Sequence, residues 1–319
     1  MRYPMKLTFS PKYRIWGGDR LAREYGKRSE IDRLGETWEL SVRQDTMSLV
    51  ENGIFAGKTL ADVISTVGHD AVSPSYDGTH FPLLIKLIDA RDDLSVQVHP
   101  DDAYAAAREN DLGKTEMWVV LAAGEGAKLV FGLADGVDRT AFEQAVENGR
   151  IEDTLAFRPV HAGDVFFIPS GMIHAIGAGI VLAEIQQNSD LTYRVYDYDR
   201  RQSDGSLREL HIRQALDVVR PFTDDEVEAI RFEARIDQDG ENTLAHCRYF
   251  RTERLHVTNR VVLSADAKSF HALLCTEGVG SILFGGEEYP LKKGDCYFIP
   301  AKTGEYTLAG TLDVLIASI

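Results

Sequence analysis

The apolar and polar positions of this chain alternate with a period of two far more often than they follow a helical spacing. Residues 5–9 (MKLTF) and 37–42 (TWELSV) alternate as half-buried strands do. Residues 82–89 and 94–99 predict two more strands around an Ala-Arg-Asp-Asp turn, and residues 115–132 predict two around a Gly-rich turn. Trp16-Gly17-Gly18 reads as a turn leading into a short helix-like run. Helices are expected at Gly57–Val67, at 101–111 behind an Asp cap, at 138–149 with a Gly stop, and at 210–219. Strands are expected again at 155–160 and on both sides of a bend at Asn188-Ser189-Asp190. PFTDDE, after residue 220, marks a boundary, and beyond residue 225 the pattern is almost wholly short strands and turns. The prediction is a mainly β protein with a few short helices.

The run His161–Gln187 organises this pattern. Val165–Ile168 is a β-prone apolar stretch, Pro169 cannot continue a ladder, and Gly171 permits a sharp return that sets His174 at the start of the next strand. The run recurs near the C-terminus: GDVFFIPSGMIHAIGAG (163–179) lies over GDCYFIPAKTGEYTLAG (294–310) without a gap. In the second copy Glu305 stands in place of His174 and Lys302 in place of Gly171. A weaker similarity pairs residues 121–132 with 275–286. The expected architecture is two barrels, residues 1–225 with a functional site and residues 226–319 without one. Since the second copy keeps the turn but not the histidine, the turn itself does not require His174.

Composition narrows the function. The chain has 319 residues, 44% of them hydrophobic and 27% charged, as in an ordinary globular enzyme. Its net charge of −15 argues against nucleic acid and against anionic membrane surfaces, which need a basic footprint. An anionic substrate would require positive charge gathered locally. The N-terminal MRYPMKLTFSPK lacks a signal-peptide core, and no run reaches the roughly 18 apolar residues of a membrane span, so a cytoplasmic protein is expected. Cys247, Cys275 and Cys296 are odd in number and lie in β-like runs, where they read as small buried hydrophobes.

Several polar residues stand where packing alone does not want them. Lys86 interrupts a strand of Leu and Ile, and a buried ammonium needs a partner. Gln97 and His99 are two apart in a strand and so face the same side. Glu116 shares a strand face with Trp118, Val120 and Ala122, where a carboxylate is rarely buried alone. His99 and His174 would be natural company for it through a shared cation, although an isolated histidine is more often a satisfied core residue. Trp16 and Trp38 fit either core packing or stacking on a sugar ring, and Arg194 either a strand edge or a site.

Gly163, Pro169, Gly171 and His174 match the second cupin motif, G-x5-P-x-G-x2-H, with Ala178 where Asn is usual. The first motif departs from its usual H-x-H, reading Gln97-x-His99 with Glu116 beyond a helix. With RIWGG, ETWELS, LSVQVHP, IPSGMIHAIG and QQNSDLTYRVYD, residues 12–200 resemble the type I phosphomannose isomerases, in particular their short bacterial form. Where long forms of that family carry Asn-His-Lys-Pro-Glu, this chain has Leu112-Gly113-Lys114-Thr115-Glu116.

The resemblance implies two cupin-type jelly-roll barrels. It implies one Zn²⁺ per chain, held by Gln97, His99, Glu116 and His174, and active-site roles for Lys86, Lys114, Asp190 and Arg194. It also implies interconversion of mannose 6-phosphate and fructose 6-phosphate through a cis-enediol. The donor set is chemically coherent, since two imidazoles, one carboxylate and one amide oxygen suit Zn²⁺, although Mn²⁺, Fe²⁺ or Co²⁺ would fit it too. Arg194 would hold substrate oxygens, and Lys86 and Lys114 would shuttle protons, bind phosphate or simply neutralise acidic neighbours. Trp16, Trp38, Lys86 and Arg194 are the expected substrate contacts. The expected partner is a small-molecule sugar phosphate, with no nucleic acid and no membrane; the sequence does not fix the oligomeric state. A metal-dependent cupin dioxygenase and a non-catalytic sugar-phosphate-binding cupin are the competing readings.

Overall fold

A computed structural model describes residues 2–234 and 240–319. They form three antiparallel sheets and several short helices. The six-stranded sheet runs Ser10–Gly18, Leu34–Leu40, Leu83–Ala90, Ile180–Gln187, Glu116–Ala123, Val165–Ile168. Leu83–Ala90 and Ile180–Gln187 lie at its centre and are buried at every position, as strands covered on both faces must be. The five-stranded sheet runs Tyr193–Tyr196, Val96–Val98, His174–Ala175, Lys128–Leu133, Leu155–Pro159.

The third sheet has eight strands and is almost entirely C-terminal, but its first edge is Met5–Leu7, paired with Cys296–Phe298. The strands expected beyond residue 225 are not all short. His271–Phe284 and Gly304–Ser318 run for 14 and 15 residues. His271–Phe284 changes partner along its length, pairing first with Cys296–Ile299 and then with Glu287–Lys292. A bulge between Cys275 and Glu277, followed by Gly278 at φ +83°, makes the bend. Residues 121–132 instead span two strands joined by a turn, so that weaker similarity does not extend to local structure.

The predicted helices form at Leu60–Val67, Asp102–Arg108, Arg139–Glu147 and Ile212–Val218. Thr59, Asp101 and Asp138 cap the first three by accepting from backbone N–H groups. PFTDDE leads into a further helix, Asp224–Arg231, opened by a capping box of Thr223 and Glu226, and the expected boundary at residue 225 falls inside it.

Trp16-Gly17-Gly18 is not a turn. It ends the strand Ser10–Gly18, with Gly17 opposite Ala90. A Cβ on Gly17 would lie 2.5 Å from the Gly35 backbone nitrogen, so glycine is there for close strand approach. The repeat, in contrast, is visible in the backbone: Gly171 has φ +86° and its counterpart Lys302 keeps a left-handed φ of +64° despite its side chain. Glu305, at the position of His174, is exposed, whereas His174 is fully buried. The three cysteines are free and buried.

Candidate metal centre and substrate cleft

His174 opens a two-residue strand and sits opposite Gln97 in the five-stranded sheet, while Glu116 begins a strand of the six-stranded sheet. The two sheets bring these side chains together. Glu116 Oε1 lies 3.2 Å from His174 Nε2 and 3.5 Å from His99 Nε2, and ligand atoms of all three residues lie within 4.8 Å of one another. His99 and His174 use Nδ1 against the carbonyls of Leu191 (2.7 Å) and Met172 (2.9 Å), which leaves both Nε2 atoms turned toward Glu116.

His99 Nε2 and both Glu116 carboxylate oxygens are buried and make no hydrogen bond. Two converging buried acceptors, His99 Nε2 and Glu116 Oε1, would be costly left without a partner in a purely structural core, and a divalent cation would satisfy both. Burial, reinforced by Lys114, lowers His99 to about 3, so it stays neutral. Glu116 is held well below the usual carboxylate range, because the neighbouring Lys114 ammonium outweighs its burial. A neutral His99 imidazole and an ionised Glu116 carboxylate are protonation states suited to holding a metal. The Gln97 amide nitrogen lies 3.4 Å from His174 Nε2, and a half-turn of that amide presents its oxygen to the same point.

Lys114 Nζ lies 3.4 Å from Glu116 Oε2, and Lys86 is gripped by Glu184 at 2.9 Å with Glu36 at 4.0 Å. Strand register explains the second contact, since Lys86 is directly opposite both Glu184 and Trp38. Burial would lower Lys86, but Glu184 and Glu36 outweigh it and hold it above the ordinary lysine value. The lysine is therefore a fixed cation rather than one poised near neutrality. Arg14 grips Glu36 through two hydrogen bonds of 2.7 and 3.1 Å, and Trp38 Nε1 donates to the same carboxylate at 2.8 Å.

A cleft of about 440 Å³ opens beside this cluster, reached by Gln97 and Lys114 and lined also by Trp16, Lys86, Asp190 and Arg194. Trp38 is not in its wall. It lies buried with its ring 5.2 Å from Lys86 Nζ, where it supports Lys86. Five cations line the cleft (Arg14, Lys86, Lys114, Arg194, Arg208) against three carboxylates (Glu36, Glu184, Asp190), on a chain of net charge −15. Arg208 is bound to Asp197. Arg194 is held by the Glu209 carbonyl at 2.8 Å and Ser95 Oγ at 3.3 Å, and among the described residues no carboxylate pairs with it. Glu184, Glu36, Arg14 and Arg208 were missed from sequence. Glu184 had a signal, a carboxylate inside the apolar run IVLAEIQQ, and Arg14 and Glu36 fall within RIWGG and ETWELS.

Residues 5–121 match the family described as phosphomannose isomerase type I, catalytic domain, and residues 240–319 match the mannose-6-phosphate isomerase cupin domain. Mannose-6-phosphate isomerase ManA of Bacillus subtilis is 37% identical over 98% of this chain and 98% of its own. The mannose-6-phosphate isomerase of Streptococcus mutans is 36% identical over 99% of this chain and 98% of its own. A crystal structure of the Bacillus subtilis mannose 6-phosphate isomerase superposes with a TM-score of 0.89 at 34% identity, covering 99% of each chain. With that likeness running nearly end to end, the chain belongs to the type I phosphomannose isomerases and is an enzyme of that isomerase family.

Proposed function

We propose that this enzyme interconverts mannose 6-phosphate and fructose 6-phosphate through a cis-enediol, with one Zn²⁺ held by Gln97, His99, Glu116 and His174. The observation that carries the reading is the convergence of buried His99 Nε2 and Glu116 Oε1, without a hydrogen bond among the described residues, with His174 beside a cation-rich cleft. In this reading the N-terminal part, residues 1–225, is a jelly-roll barrel carrying the metal, and residues 226–319 form a second barrel that has lost it. When bound, the ion supplies Lewis acidity to the carbonyl and hydroxyl oxygens at C1 and C2; with one anionic ligand it keeps a net positive charge.

Arg194, with no carboxylate paired to it among the described residues, presents its guanidinium toward the cleft and holds negative substrate oxygens. Lys114, between Glu116 and the cleft, is placed to move a proton at the reacting carbons. Lys86, fixed by Glu184 and Glu36, acts as a permanent positive charge facing the substrate. Asp190 shares the wall with Arg194 and orients sugar hydroxyls, and Trp16 closes one side as an apolar surface. Three free, buried cysteines fit a reducing compartment, in keeping with a cytoplasmic enzyme. A coupled assay that detects fructose 6-phosphate formed from mannose 6-phosphate tests the proposal. Oxygen consumption without isomerisation would point to a cupin dioxygenase instead.

A further inference from the structure

Lys114 lies on the loop between the helix Asp102–Arg108 and the strand Glu116–Ala123, and a loop lysine can aim a proton only if its backbone is fixed. Three consecutive amides around it are tied down. Gly113 N–H donates to Asp102 Oδ1 at 2.9 Å, Lys114 N–H to the Pro100 carbonyl at 3.0 Å, and Thr115 N–H to Gln187 Oε1 at 2.9 Å. The two side chains that do this also bind each other, since Gln187 Nε2 donates to Asp102 Oδ1 at 2.9 Å. A Cβ on Gly113 would lie 2.5 Å from the Asp101 carbonyl carbon and the Asp102 nitrogen, so only glycine lets the loop lie this close. The remaining Asp102 oxygen accepts from Tyr249 at 2.8 Å, and the Tyr249 hydroxyl accepts in turn from Arg248. Tyr249 belongs to the C-terminal sheet, in the turn between Thr243–His246 and Arg251–Val257.

We infer that Asp102, Gln187 and Tyr249 are positioning residues for Lys114, and that the C-terminal unit completes the active site through Tyr249. The inference rests on the reading of Lys114 as a group that acts on substrate. It also gives the copy without ligands a task in turnover.

A double-mutant cycle tests it. Asp102→Ala should lower kcat/KM by about 10- to 100-fold, as removal of a supporting shell does. Tyr249→Phe should lower it about fivefold, the worth of one hydrogen bond. Metal content should be unchanged in both, and Asp102→Asn, which keeps an oxygen for Gly113 and Gln187 but loses the acceptor for Tyr249, should lose no more than Tyr249→Phe does. In a Lys114→Met background both losses should shrink to under about twofold, because the group they position is gone. Undiminished losses in that background, or loss of the metal in Tyr249→Phe, would overturn the inference while leaving the reading of Lys114 intact. Full turnover by Lys114→Met alone would overturn that reading and the inference with it. If Asp102→Ala does not fold, Tyr249→Phe carries the cycle.

Discussion

Glu116 Oε1 and His174 Nε2 lie 3.2 Å apart although they belong to different sheets, and each is essentially sealed from solvent. Replacing His174 by Ala removes one proposed ligand and leaves the Glu116 charge without its imidazole neighbour. His174→Ala should lose bound metal and turnover together while far-UV circular dichroism stays unchanged. A variant that turns over normally would remove His174 from the site.

Arg194 is expected to act on the substrate and not on the ion. Arg194→Ala should lower kcat by about a hundredfold to a thousandfold, the usual loss when a donor to developing negative charge is removed. Metal content measured by mass spectrometry should not change. Arg194→Lys should recover little, since an ammonium cannot reproduce the planar fork. Loss of metal in Arg194→Ala would make its role structural.

Lys86 is enclosed by Glu184 and Glu36, so its removal strands the buried Glu184 carboxylate and leaves Glu36 with Arg14 as its one paired cation among the described residues. Lys86→Met should cost about 3–5 kcal/mol, as breaking a buried ion pair from one side does, and denaturant unfolding measures it directly. A cost below about 1 kcal/mol would mean that the carboxylates take up protons or water without penalty.

Glu36 gives the stability a defined acid limb. Burial would raise its pKa, but Arg14 and Lys86 outweigh burial and depress it from 4.5 to about 2. Between those values the unfolded chain binds a proton that the folded chain does not, so stability rises with pH across the window. The contribution is fully present above about 4.5 and lost as the pH falls toward 2. The unfolding free energy of the parent minus that of Glu36→Gln should therefore shrink from pH 4.5 downward; a difference that stays constant would contradict the assignment.

Much of this was legible from residue pattern. Period-two alternation placed Gln97 and His99 on one side of a strand, and an unexplained carboxylate in an apolar run picked out Glu116. The duplicated turn, with Lys302 keeping the left-handed backbone of Gly171, separated what the turn needs from what chemistry needs. What stayed hidden depends on register between distant strands. That Lys86 faces Glu184, that Arg14 reaches Glu36, and that Met5–Leu7 joins the last sheet are consequences of pairing, which local pattern does not encode. Trp16-Gly17-Gly18 misled for a related reason. Two adjacent glycines suggest a turn unless a neighbouring strand is known to press against them.

The central claim is that Gln97, His99, Glu116 and His174 hold one divalent ion on which isomerisation depends. Its most direct test follows metal content and fructose 6-phosphate formation on the same sample during chelation and reconstitution. Activity should fall in step with metal lost and return with one Zn²⁺ per chain, the fold remaining intact throughout. Undiminished turnover by metal-free protein would contradict the account.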